Sequence, residues 1–213
     1  MESNFRQRLT ADSRLLGTIV ALSDPASIDT LSRVGYDWLW IDMEHAPLSI
    51  DQVRTMLAAK DPACPALVRV PNNDVTWIKR VLDIGPEGII VPHVSSREEA
   101  ERAVGAAKSP PTGYRSFGPG RASHYGIDSG YTARANQSTA VVVQIEHKSA
   151  VTNLADILDV EGIDGAVIGP FDLSGSYGKL GDFSDPEVQD AIELIRTTCK
   201  EKSIASGIFC LTE

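Results

Sequence analysis

Seven short apolar runs, spaced along one chain, decide most of what this sequence can fold into. They read "GTIVAL" (17–22), "DWLWID" (37–42), "PALVRV" (65–70), "GIIVPH" (88–93), "AVVVQIE" (140–146), "GAVIGP" (165–170) and "IASGIF" (204–209). Each has the length of a strand. Apolar and polar residues barely alternate within them, the pattern of strands buried on both faces in a parallel sheet covered by helices. Longer amphipathic stretches separate them. "PASIDTLSRVG" follows the first run. Ser49 opens a helix over 49–60 as its N-cap, and Asp74 opens and Gly85 closes one over 74–85. Ser96 starts another, over 96–108, with a capping-box pattern. "SAVTNLADILDV" (149–160) and a stretch near 185–202 supply two more.

A strand-then-helix rhythm of this kind suits two architectures, a doubly wound open sheet and a (β/α)8 barrel. No G-x-G-x-x-G follows the first run, which weakens the dinucleotide-binding version. Seven units without a domain break favour the (β/α)8 TIM barrel, one domain spanning residues 1–213. A barrel typically uses about 250 residues, and the chain has 213 and stops straight after the seventh run. Strand eight and its helix are therefore expected to be absent from the sequence, leaving the domain C-terminally incomplete. A Gly/Pro/Ser-rich segment, 109–130, interrupts the rhythm, and within it "GYRSFGPGR" (113–121) reads as a lid or a long surface loop.

Composition narrows the partners. The net charge is −9 and no Lys/Arg run stands out, which argues against nucleic acid. No apolar stretch is long enough to span a bilayer, and "MESNFRQRLTADSR" at the start is polar, without a signal-peptide core. Cys64, Cys199 and Cys210 are scattered, fit neither a disulfide framework nor a zinc site, and suit a reducing cytoplasm. An acidic protein with an anionic substrate needs local positive charge or a metal.

Barrel active sites gather at the C-terminal ends of the strands. There the second run ends in Asp42, Met43, Glu44 and His45, and the third carries Arg69. The fourth ends in His93, the fifth in Gln144, Ile145 and Glu146, and the sixth in Gly169, Pro170, Phe171 and Asp172. Glu146 and Asp172 sit on consecutive strands, about 4.8 Å apart, so their tips can share a cation; Mg2+ and Mn2+ accept two carboxylates plus waters. Each carboxylate alone could instead cap the helix that follows it. His45 is the best candidate base, because imidazole titrates near neutrality; its ordinary alternative is a structural loop histidine. Arg69 on a buried strand needs either an acid or a substrate carboxylate as partner. His93 and Gln144 are weaker candidates, and His124 and His147 read as structural. The backbone N–H groups from Gly169 to Asp172 offer an anion site at a helix start. A metal beside such a site suits a small 2-oxo acid, whose ketone the cation would polarise.

Several motifs then resemble one known family. "GYDWLWIDMEHAP", "VRVP", "IKRVLDIG", "VQIE", "DVEGIDGAVIGPFDLS" and "DPEVQDAI" are similar, in order and from about residue 15 to the last, to the HpcH/HpaI family of class II, metal-dependent pyruvate aldolases. The resemblance implies a barrel that assembles as a hexamer, a trimer of dimers. It implies reversible cleavage of 4-hydroxy-2-oxo acids to pyruvate and an aldehyde, with Mg2+, Mn2+ or Co2+ as cofactor. By the same resemblance Glu146 and Asp172 match the metal ligands, His45 the catalytic base, and Arg69 the arginine that stabilises the enolate. Gln144 lines the site, and the amides of Phe171 and Asp172 match those holding the pyruvate carboxylate. Asp83 matches an acid that reaches a neighbouring subunit's histidine. Asp42 and Glu44 match no ligand and read as supports that orient His45 or its loop. Met43, Ile19, Ser116 and Phe117 depart from the family pattern and bear on the aldehyde rather than on the enolate. Two other readings compete: oxaloacetate decarboxylation with capture of the enolate, and an inactive truncated scaffold subunit.

Overall fold

The computed structural model describes residues 4–11 and 14–210. All seven apolar runs form strands: β1 (Gly17–Val20), β2 (Trp38–Asp42), β3 (Ala66–Arg69), β4 (Gly88–Val91), β5 (Ala140–Ile145), β6 (Gly165–Ile168) and β7 (Ala205–Ile208). They pair in chain order as one sheet, every neighbour parallel. The helices are α1 (Phe5–Leu9), α2 (Pro25–Leu31), α3 (Ile50–Ala59), α4 (Val75–Asp83), α5 (Arg97–Ala107), α6 (Tyr131–Ser138), α7 (Lys148–Thr152), α8 (Leu154–Leu158), α9 (Pro170–Ser176) and α10 (Pro186–Glu201). Parallel neighbours need a crossover between each pair, and the intervening helices supply it. The result is the curled parallel wall of an α/β, TIM-barrel-like fold with seven strands; among the described residues β1 and β7 are its two unpaired edges.

Strand periodicity divides the apolar residues into two shells. Successive strand residues point to opposite faces. Leu39, Ile41, Val68, Ile89, Val91, Val141, Val143 and Ile145 face outward and pack with helix residues such as Val53, Met56, Ile78 and Val81. Trp40, Leu67, Ile90, Ala140, Val142 and Val167 form a smaller cluster inside the curl. Phe5 of α1 joins that inner cluster, 5.8 Å from Trp38 at the start of β2, and Trp38 stacks at 6.1 Å on Trp40. The same parity carried to the strand tips turns Asp42, Arg69 and Gln144 inward. The interior of the curl thus changes from apolar to charged at the C-terminal ends of β2, β3 and β5.

Local chemistry explains most helix boundaries. Ser49 and Gln52 form a reciprocal capping box at α3, and Asp74 accepts from the Thr76 and Trp77 amides at α4. Gly85 follows α4 at φ +81°, where a side chain would be strained and its Cβ would meet the Ala122 backbone at 3.1 Å. Ser96 accepts from the Glu99 amide, but Glu99 does not close the expected box: its carboxylate reaches past the cap to the Ser95 amide at 2.7 Å.

Other expectations are corrected. The polar start of the chain carries a helix, α1, whose Phe5 is buried. The single helix expected over 149–160 is broken at Asn153, whose side chain donates to the Ser95 carbonyl at 2.9 Å. The 109–130 segment holds a 3-10 turn, Arg121–Gly126, and leads into α6, which the Gly/Pro/Ser content concealed. Several strands stop short of their apolar runs: β4 ends at Val91, ahead of Pro92 and His93.

Candidate active site

The tip of β2 and the tip of β3 are joined by a buried ion pair. Asp42 and Arg69 are register partners, so their inward side chains lie side by side. Arg69 donates from Nε to Asp42 Oδ1 at 2.8 Å and from Nη2 to Asp42 Oδ2 at 2.7 Å, a two-pronged fork. The guanidinium also lies over the Trp40 ring, 5.0 Å from its centroid. Burial pushes the Asp42 carboxyl up, but the Arg69 fork and the amides of Glu44 and His45 together hold it below the usual carboxylate range. Of the two partners that the sequence leaves open for Arg69, the acid takes Nε and Nη2. Its remaining edge, Nη1, faces Gln144 Oε1 at 3.3 Å and Glu44 Oε2 at 3.0 Å.

Asp42 also organises the loop that follows it. Its Oδ1 accepts from the Glu44 amide at 3.0 Å and the His45 amide at 3.3 Å. That turn leaves Glu44 nearly buried and sends the His45 ring outward, 63% exposed, with Nε2 3.7 Å from Glu44 Oε2. His45 therefore stands at the rim, free to meet a substrate from solvent.

Glu146 continues the β5 tip and is almost fully buried. Gln144 donates to its Oε2, and the His93 amide donates to its Oε1 at 2.7 Å. Gly169, which follows β6, packs against both side chains: a Cβ there would sit 2.9 Å from Gln144 Nε2 and 2.9 Å from Glu146 Oε2. Burial pushes the Glu146 carboxyl above its ordinary range; the His93 contacts oppose this and the nearby Glu44 charge adds to it. A cation beside it would oppose that shift.

One residue ranked low from the sequence becomes central. His93 has φ +55°, the left-handed region that few side chains adopt. This backbone turn brings its Nδ1 within 3.2 Å of Glu146 Oε1 and its Nε2 within 3.1 Å of Glu44 Oε1. Glu44, His93 and Glu146 offer three donor atoms within 4.8 Å of one another. Glu44 Oε2 is buried and accepts no hydrogen bond from the described residues, since Arg69 Nη1 is close but out of line. Three carboxylates against one guanidinium, with an orphaned buried oxygen among them, fit a divalent cation. The only sequence signal for His93 was its place after a strand.

The remaining predicted residues are spread more widely. Asp172 lies in the first turn of α9, exposed, just beyond the Gly169 contact. It does not cap its helix: Gly169 is the N-cap and no side chain bonds there. Nor does Glu146 cap α7, whose cap is the His147 ring. The ordinary alternative for both carboxylates is thereby removed. Phe171 is half-exposed and meets Phe183 edge-on at 4.8 Å. Asp83 is not brought to the strand tips. It ends α4, where the chain turns back toward the start of β4, and it accepts from Arg115 at 2.9 Å.

The sequence matches the HpcH/HpaI aldolase/citrate lyase family over residues 16–212. It is 41% identical to a 4-hydroxy-2-oxo-heptane-1,7-dioate aldolase of Escherichia coli, covering 100% of this chain and 82% of that protein. It is 38% identical to a 5-keto-4-deoxy-D-glucarate aldolase of Escherichia coli O139:H28, covering 99% of this chain and 83% of the relative. The fold superposes with a TM-score of 0.92, at 34% identity, on the crystal structure of an HpcH/HpaI aldolase/citrate lyase family protein from Burkholderia cenocepacia, covering 96% of this chain and 83% of that one.

Proposed function

The chain belongs to the HpcH/HpaI aldolase/citrate lyase family, and from that premise we propose that it is a divalent-metal-dependent aldolase. Its reaction is the reversible cleavage of 4-hydroxy-2-oxo acids to pyruvate and an aldehyde. The observation that carries the reading is the convergence of Glu146, Gln144, Arg69 and Glu44 at one end of an otherwise apolar curl. The two relatives named above, both aldolases of oxygenated dicarboxylic acids, support the substrate class.

Glu146 and Asp172 would hold the cation, Mg2+, Mn2+ or Co2+. When bound, it would polarise the ketone and stabilise the charge of the enolate. Arg69 Nη1 faces the same space and would stabilise the 2-oxo oxygen, while Asp42 fixes the orientation of the guanidinium. Gln144 holds Glu146 in place. His45, at the rim, would take the proton of the C4 hydroxyl as the C3–C4 bond breaks. The first-turn amides of Phe171 and Asp172 have no intrahelical acceptor and would receive the substrate carboxylate.

Assembly belongs to the same proposal. In a hexamer Asp83, 29% exposed and already fixed by Arg115, would orient His45 of the partner subunit. The free cysteines Cys64, Cys199 and Cys210 suit a reducing cytoplasm, and among the described residues no helix is long and apolar enough to cross a membrane.

The test is pyruvate release from a panel of 4-hydroxy-2-oxo acids, coupled to lactate dehydrogenase, with and without Mg2+, Mn2+ and Co2+. Activity should vanish with EDTA and in Glu146→Gln. Turnover that survives either treatment sinks the metal-dependent reading. Release of pyruvate from oxaloacetate alone would favour decarboxylation over aldol cleavage.

A further inference from the structure

Both ring nitrogens of His93 face carboxylate oxygens, Nδ1 at 3.2 Å from Glu146 Oε1 and Nε2 at 3.1 Å from Glu44 Oε1. A neutral imidazole carries one N–H, so it can satisfy only one of these contacts; the other sets a lone pair against an anionic oxygen. Three arrangements resolve this: the ring is an internal cation, a protonated carboxyl donates its O–H to the lone pair, or a metal ion sits among the three groups and takes that lone pair. The surroundings favour the last. Glu44 Oε2 is a buried acceptor with no hydrogen bond from the described residues, its cationic neighbour being Arg69 Nη1 at 3.0 Å, which leaves Oε1 to the His93 side. The three donors come from the ends of β2, β4 and β5, which the sheet holds rigidly in place. The ring itself is 64% exposed, so it can turn onto an ion without disturbing the core. The left-handed backbone at His93, φ +55°, is one that few side chains adopt, and its effect here is to aim the ring at the two carboxylates.

We propose that His93 supplies a nitrogen ligand to the cation held by Glu146, with Glu44 as a further oxygen donor. The proposal rests on the metal-dependent reading above. It has a consequence for the ion chosen. Imidazole suits transition metals, whereas Mg2+ prefers oxygen ligands and several waters. The site therefore selects Mn2+ or Co2+ over Mg2+.

The experiment uses the full chain loaded with Mn2+, read by electron spin echo envelope modulation for coupling to 14N, beside calorimetric titration with Mn2+ and Mg2+. His93→Asn keeps a residue that accepts positive φ, and His93→Gly removes every donor without strain. The wild type should show imidazole 14N modulation, and both variants should lose it. Mn2+ affinity should fall about tenfold or more, by analogy with the cost of losing even a supporting group around a metal, while Mg2+ affinity changes less. Mn2+ that binds in a Glu146-dependent way without 14N modulation overturns the role of His93 and leaves the proposed function standing. Modulation that persists in both variants assigns the nitrogen to another histidine and also overturns it. A wild type that binds Mg2+ but not Mn2+ overturns this inference alone, and one that binds neither removes the metal-dependent reading and this inference together.

Discussion

Gly169→Ala is the smallest change that probes the site. Gly169 has φ −94°, which alanine adopts freely, so backbone strain contributes nothing. The whole effect is steric. The new methyl would sit 2.9 Å from Gln144 Nε2, 2.9 Å from Glu146 Oε2 and 3.0 Å from Glu146 Cβ. These atoms belong to buried side chains tied to Arg69 and to the His93 amide, so they cannot swing to solvent. Overpacking of this kind costs about 1–3 kcal/mol, and a chain of this size loses about 2–4 °C in Tm per kcal/mol. A Tm lower by about 2–12 °C is expected in differential scanning calorimetry. Displacing Glu146 should also cut Mn2+ affinity and turnover by about tenfold, equivalent to ~1.4 kcal/mol. Gly207→Ala on β7 is the control, because its Cβ would meet only Val167 at 3.9 Å. If Gly169→Ala matches the wild type in both Tm and Mn2+ affinity, the packing of Glu146 against β6 is not what positions it, and the steric reasoning fails.

Three further perturbations probe other parts of the fold. Asp42→Asn removes one side of a buried fork, and with Glu44 still 3.0 Å from Arg69 the cost should be about 3 kcal/mol, the low end for breaking such a pair, read by urea unfolding. Since the Asp42 carboxyl is held below its ordinary range, its contribution is present above the unfolded pKa and lost as pH falls, so the variant should show a flatter acid limb. Lys108 is buried with Nζ donating to the Asn136 and Thr139 carbonyls, and burial pushes it down to about 8. Above that pH the unfolded chain holds a proton the folded one has lost, so stability gains with rising pH, by at most about 1.4 kcal/mol per unit. Lys108→Met should abolish that slope, which runs from about pH 8 up to the ordinary lysine value of 10.5, and an unchanged slope refutes the assignment. Phe5→Ala should destabilise by about 3 kcal/mol if α1 truly closes the inner cluster; a wild-type Tm would show that α1 is dispensable.

The strands were readable because a strand buried on both faces is nearly all apolar, and these runs are too short and too closely bounded by Gly and Pro to be helices. Parity along β2 then carries Trp40 to Asp42, and register carries Asp42 to Arg69, so the inward charges at the tips follow from pattern alone. What pattern does not carry is curvature. Glu44, His93 and Glu146 meet across the ends of β2, β4 and β5, and only the curl of the sheet brings them within 4.8 Å. Nothing in "VPHVSS" announces a positive φ, so His93 read as one more histidine after a strand. Helix α1 was concealed for a different reason: one buried aromatic in a polar segment leaves no periodic trace, yet Phe5 reaches the interior. The break at Asn153 depends on a bond to Ser95, a contact made across the fold.

The pairing of Arg69 decides what the site can still bind. Had the guanidinium forked onto Glu146, the tip of β5 would be neutralised within the chain and would offer little to a cation. Instead β2 and β3 are in register at Asp42 and Arg69, so the fork closes between those two strands. Asp42 takes Nε and Nη2, and only Nη1 is left facing Glu44 and Gln144. Glu146 is answered by amide donors and the His93 ring alone, none of which matches its full charge in so buried a place. The same register that satisfies the arginine therefore leaves a second buried carboxylate in need of a positive partner. An acid that merely balanced Arg69 would have made this end of the sheet a structural ion pair; the extra carboxylates make it a place where a cation and an anionic substrate can meet.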